Sequence, residues 1–126
     1  MEYLIDSNVL IDYVANRFST TQLEKLDRIF DQDFTVSIIT KIETLGFNAL
    51  EKEEKELLAF FRLAYIIELT NEIAERTIEL RKSKRLKTPD AIIAATAITF
   101  NRKLLSRNTA DFKNIPALSV INPHDW

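Results

Sequence analysis

Residues 3–14 change periodicity across a single carboxylate, and that change restricts the fold more than anything else in the chain. Tyr3-Leu4-Ile5 is a short apolar run, Asp6-Ser7-Asn8 ends it, and Val9, Leu10, Tyr13 and Val14 follow at helical spacing. An apolar strand that feeds straight into a helix opens a βα unit, and such strands belong to parallel sheets covered on both faces. The strand delivers Asp6 to the carboxyl edge of the sheet, where open α/β folds bind ligands. A carboxylate there must be solvated, paired or bound to a cation, because burying it alone costs several kcal/mol or more.

The alternation continues to the end of the chain. The first helix runs to about Asn16, with Asn8 as its cap and Leu10, Ile11 and Val14 as its inward stripe. Ser19-Thr20-Thr21 opens a second helix carrying Leu23, Leu26, Ile29 and Phe30, and Phe34 to Ile38 reads as a β-branched strand. Thr40 and Glu43 match a capping box, which places a third helix from there to about Ala49. The charged cluster Glu51 to Glu56 starts a helix that becomes amphipathic through Leu57, Leu58, Phe60 and Phe61. Ala64 to Leu69 is a third strand, and Thr70 or Asn71 caps a long helix that ends in Arg81, Lys82, Lys84, Arg85 and Lys87. Thr88-Pro89-Asp90 is a helix start, with a capping hydroxyl, proline at the first helical position and an acid in the first turn favoured by the dipole. The helix behind it, Ala91 to Phe100, is apolar on nearly every side and must be covered. Lys103 to Ser106 and Leu118 to Ile121 are the last strands, joined by a polar loop from Arg107 to Asp111. This is an α/β pattern over a single domain, residues 1–126, with a mainly parallel sheet between layers of helices.

Composition removes several chemistries. One glycine, Gly46, cannot build a phosphate-cradling glycine loop. One histidine, His124, rules against Ser-His-Asp catalysis and multi-His zinc sites. The absence of cysteine excludes thiolate-bound metal and fits a reducing cytoplasm. There is no apolar run approaching ~18 residues and no signal-like start, so a cytoplasmic, non-membrane protein is expected. Net charge is −2, so any nucleic-acid binding must come from a local patch.

Catalysis, if present, therefore falls to carboxylates. Asp6 follows strand one, Glu43 lies just after strand two, Asp90 opens the helix before strand four, and Asp111 lies in the loop after strand four. Each has a plainer use: Glu43 as half of a capping box, Asp90 as a complement to the helix dipole, Asp111 as a loop residue. Asp6 has the least structural use of the four, and their joint placement outweighs the separate readings. Crowded carboxylates raise one another's pKa unless a cation neutralises them, and hard oxygen ligands select Mg²⁺ or Mn²⁺ over zinc. Ser7, Asn8, Ser106 and Asn108 are neutral groups expected near the same edge, able to hold water or phosphate oxygens.

Several stretches resemble the PIN-domain family, and within it the VapC-type toxin ribonucleases. They are Leu4 to Leu10 (LIDSNVL), Ser37 to Glu43, Thr88-Pro89-Asp90-Ala91 with its apolar helix, Leu105 to Phe112 (LSRNTADF), and Val120 to Pro123. The resemblance spans nearly the whole chain in order. It implies a three-layer α/β/α sandwich around a mainly parallel five-stranded sheet. It also implies a Mg²⁺- or Mn²⁺-dependent endoribonuclease, a homodimer, and inhibition by a cognate antitoxin. The family's acidic positions fall on Asp6, Glu43, Asp90 and Asp111, with Asn108 an alternative to Asp111 as the fourth ligand. Ser7 stands where the family often has threonine, which keeps the hydroxyl.

On this reading Asp6, Glu43 and Asp90 hold the principal ion, Asp111 completes the site, and an activated water cleaves an RNA phosphodiester. Lys84, Arg85 and Lys87 are candidates to track substrate phosphates, against a solvated helix end as the plainer use. Phe47, Phe60 and Phe61 are candidates for pairing or antitoxin docking, against core packing. A PIN nuclease of RNA processing or DNA cleavage shares the same site, and a non-catalytic metal-containing module is the reading from another class. A phosphoacceptor receiver domain fits poorly, since it wants an acidic pair after strand one and a lysine after the last strand.

Overall fold

A computed structural model of the chain describes residues 2–126. The elements run β1 (Tyr3–Ile5), α1 (Ser7–Val14), α2 (Thr20–Gln32), β2 (Thr35–Ser37), α3 (Ile38–Leu45), α4 (Glu51–Leu63) and β3 (Tyr65–Ile67). They continue with α5 (Asn71–Ser83), α6 (Thr88–Thr99), β4 (Lys103–Leu105), α7 (Thr109–Phe112), β5 (Val120–Ile121) and a 3-10 turn at Pro123–Asp125. The expected α/β alternation holds, and every hydrogen-bonded strand pair is parallel.

The ladder is divided. β4 lies between β1 and β5, while β2 pairs with β3. β1 packs alongside β2 without joining the two ladders. The five strands expected from the sequence are therefore present as groups of three and two. Strands of two or three residues carry few ladder bonds each, so neighbouring strands can align through side-chain packing instead.

Period-2 alternation sends successive strand residues to opposite faces, and two cores result. Leu4 and Leu104 join Ile67, Ile73, Leu80, Ile93 and Phe112 on the α5–α6 side. Ile5 and Leu105 join Val9, Leu10, Leu26, Val36, Leu57 and Phe61 beneath α1, α2 and α4. The apolar helix α6 is buried along Ala91–Ala97, where its alanines permit close packing against α5. This arrangement is the α/β/α layering that the alternation implied.

Local starts differ in ways that bear on function. Asp6, not Asn8, caps α1, accepting a hydrogen bond from Ser7 N. Helix α3 starts earlier than the Thr40–Glu43 pattern suggested, because Ser37 caps it through Ile39 N. Thr40 is buried with its hydroxyl unpartnered. Glu43 therefore belongs to the second turn and is released from capping. Lys87 occupies the cap position of α6, which moves Pro89 to the second helical residue. The stretch expected as a polar loop contains the short helix α7, with Asp111 in its only turn. Phe61 is buried, which removes it from the docking candidates, and Ile11 on α1 is only half-buried.

Candidate metal centre

Asp6 is 4% exposed at the end of β1. Its Oδ1 accepts from Ser7 N (2.8 Å), and its Oδ2 accepts from Ser106 Oγ (2.8 Å) and Asn8 Nδ2 (3.3 Å). Asp6 is thus oriented from both sides, by the start of α1 and by the residue that follows β4. Pairing of β1 with β4 brings those two chain segments together. Ser106 Oγ also accepts from Asn8 Nδ2 (3.2 Å) and Asn108 N (3.0 Å), which makes it the junction of the cluster.

Glu43 reaches the cluster from α3, where its Oε1 accepts from Ser7 Oγ (3.2 Å). Asp90 is half-buried in the first turn of α6. Asp111 is exposed on α7 and accepts from Asn108 Nδ2 through Oδ2 (2.8 Å). Ser7, Asn8, Ser106 and Asn108 therefore all touch the acids or one another, as the sequence suggested. Lys87, at the head of α6, lies close enough to act on the charge of Asp90.

The electrostatics link all four acids. Burial raises the pKa of Asp6, bonds from Ser106 and Ser7 draw it back, and the charge of Asp90 adds to the rise. Burial also raises Glu43, followed by repulsion from Asp6, and from Asp90 more weakly. Asp90 is raised by burial and then by the charge of Asp111. Each rise records free energy that a proton or a cation would recover.

Divalent metal fits this donor set in kind: the groups are carboxylate, hydroxyl and amide oxygens, and they carry surplus negative charge. Among the described residues, however, no group of three or more acids, histidines or cysteines is drawn together as a ready-made metal cage.

A further carboxylate, Asp12, is buried away from the strand ends, where proximity to a strand in the sequence does not mark it. Asp12 is 1% exposed on α1. Arg107 Nη1 donates to both of its oxygens (2.9 and 2.8 Å), Arg17 Nη1 to Oδ1 (3.2 Å), and His124 Nε2 lies 2.9 Å from Oδ2. The signal was present in the sequence as an acid three residues beyond Val9, on the helix face that is buried. Two of its three partners, Arg107 and His124, lie 95 and 112 residues away, which no local pattern reveals.

A parallel α/β layer that gathers acids from several elements near one sheet edge has counterparts among known proteins. The PIN domain family model matches residues 3–118, and the chain belongs to that family. It is 29% identical to Ribonuclease VapC from Rickettsia bellii and 30% identical to Ribonuclease VapC1 from Rickettsia felis, in each case over 96% of both chains. Among solved structures, it resembles a chain of a toxin-antitoxin complex from Klebsiella pneumoniae. That match has a TM-score of 0.78 at 32% identity and covers 96% of this chain and 97% of that one. VapBC2 from Rickettsia felis, bound to a promoter DNA fragment, shares the fold with a TM-score of 0.81 at 22% identity, over 97% and 98% of the two chains.

Proposed function

We propose that the chain is a divalent-metal-dependent endoribonuclease, the toxin of a toxin–antitoxin pair. The observation that carries this reading is Asp6: a buried carboxylate at a strand end, oriented from two sides and loaded with the charge of further acids. The names of the relatives support the ribonuclease activity, and the Klebsiella complex supports an antitoxin partner.

Asp6, Glu43 and Asp90 would hold the ion, with Asp111 completing the site and Asn108 orienting Asp111. Bound Mg²⁺ or Mn²⁺ would supply Lewis acidity, lowering the pKa of a water and neutralising charge on the phosphodiester. Ser106 and Ser7 N keep Asp6 in one rotamer, so its carboxylate is presented ready for use. Ser7 Oγ tethers Glu43 to the same point. No side chain is needed as nucleophile, which agrees with a chain that has no cysteine and a histidine committed to Asp12.

The RNA backbone would approach along Lys84, Arg85 and Lys87, between the end of α5 and the head of α6. The partners would meet apolar surface: Phe47 is 48% exposed, Ile42 61% and Leu50 72%, on and after α3. Phe60 stays half-buried among Tyr13, Phe30 and Phe34, where it can floor a docking site. These surfaces would serve a homodimer and the antitoxin. No described helix is long and apolar enough to cross a membrane.

A mixed panel of messenger, transfer and ribosomal RNAs, incubated with the purified chain, tests the activity. Cuts that need Mg²⁺ or Mn²⁺ and stop with EDTA support it; intact RNA throughout with a folded protein contradicts it.

A further inference from the structure

We propose that Asp12 and Arg107 form a positioning pair that sets the Ser106–Asn108 loop against α1 and so holds Ser106 and Asn8 on Asp6. Asp12 lies six residues beyond Asp6, on the helix that Asp6 caps, and is almost fully buried. Its compensating partners come from three places. Arg17 is local and exposed, and His124 belongs to the C-terminal 3-10 turn, where it stacks on Phe18 with centroids 4.2 Å apart. Arg107 alone comes from the loop that carries the site.

Two points of that loop are fastened to α1. The Arg107 side chain is fixed on Asp12, and the Arg107 backbone N–H donates to Asn8 Oδ1 at 2.9 Å. The residues on either side of Arg107 do the work at the site: Ser106 bonds to Asp6, and Asn108 bonds to Asp111. Releasing the Arg107 side chain removes one of these two fastenings at the loop's midpoint and leaves the backbone bond to Asn8 to hold both contacts less firmly. Stability alone is a weak reason to bury such a pair, because apolar replacements are often as stable or more so. A fixed loop geometry gives the pair its use.

This role presupposes the divalent-cation site proposed above, so the test reads both separately. Mn²⁺ is titrated by calorimetry into the whole native chain and into Arg107→Ala, Arg107→Lys and Arg17→Ala. Thermal midpoints of the metal-free proteins are recorded alongside. The native chain takes up Mn²⁺. Arg107→Ala binds it about 10–100-fold more weakly, the range for losing a group that orients a metal ligand. Arg107→Lys recovers part of the loss, since a lysine returns the charge without the planar donor pair. Arg17→Ala stays near the native affinity, although it removes an ion pair from the same carboxylate.

Native-like affinity in Arg107→Ala would overturn the pairing. So would affinities that simply follow the thermal midpoints across all three variants, because that pattern belongs to a stabilising contact. A native chain that takes up no Mn²⁺ removes the cation site itself, and the pair's role with it.

Discussion

Replacing Ser106 by alanine removes the oxygen at which three hydrogen bonds of the cluster meet. Ser106 Oγ donates to Asp6 Oδ2 at 2.8 Å and accepts from Asn8 Nδ2 at 3.2 Å and Asn108 N at 3.0 Å. A hydrogen bond to an ionised group contributes about 1.5–3 kcal/mol, and leaving the Asn108 N–H unpaired costs about 1 kcal/mol more. Asn8 Nδ2 keeps its bond to Asp6 Oδ2 and adds little. The expected loss is therefore roughly 2.5–4 kcal/mol while Asp6 is ionised.

The pH dependence follows from the same contact. Burial raises Asp6 above its ordinary 3.8, and the Ser106 bond is the largest influence lowering it again. A carboxyl with a raised native pKa binds its proton more tightly when folded. Its contribution to stability is full in acid and declines as pH rises through the native value. Without Ser106 the native value climbs further, so the decline is deeper. Urea unfolding of the metal-free native chain and Ser106→Ala, at a series of pH values, reads the difference. The penalty should fall towards the Asn108 share of about 1 kcal/mol near pH 3.8 and reach full size at alkaline pH. A penalty that is the same at both ends, or absent, would refute the claim that Ser106 steadies a charged Asp6.

Other expectations are simpler to check. Neutralising Lys84 and Arg85 together should lower the slope of log affinity against log salt for single-stranded RNA by about 1.4, at 0.7 per phosphate contact; an unchanged slope would make them a solvated helix end. Phe61→Ala should cost about 3–5 kcal/mol in unfolding, whereas exposed Phe47→Ala should stay within about 0.5 kcal/mol and instead weaken self-association in sedimentation. Mn²⁺ at a hundredfold excess over its Kd should stabilise the fold by about 2.7 kcal/mol, reversed by EDTA; no shift in thermal midpoint would contradict a cation site.

The readable parts of this chain are those encoded locally. The strand–carboxylate–helix switch at Asp6 survives in the structure because a buried strand and an amphipathic helix each leave a periodic trace. The neutral set of Ser7, Asn8, Ser106 and Asn108 was found from its position beside strand ends, and it meets the acids as expected. Glu43 was obscured by chemistry that serves two purposes: Thr-x-x-Glu is a valid capping box, but Ser37 caps the helix first. The Asp12 cluster was hidden for a different reason. It joins three regions of the chain by ion pairs and a histidine contact, and such long-range pairing has no period. The split of the strands into two ladders was also invisible, since it depends on how closely β1 and β2 approach, which composition does not set. Phe60 and Phe61 share a helix and a residue type; which one faces the core follows from the rotation of α4 on its neighbours.

The central claim is that these carboxylates carry RNA cleavage, and Asp90→Asn tests it most directly. The substitution is isosteric, lies half-buried in the first turn of α6, and removes a charge that Asp6 and Glu43 both feel. Cleavage of the preferred RNA in Mg²⁺ or Mn²⁺ is measured for the native chain and the variant, with the metal-free thermal midpoint of each. The account predicts loss of cleavage with the fold retained. A variant that cuts RNA at the native rate would contradict it.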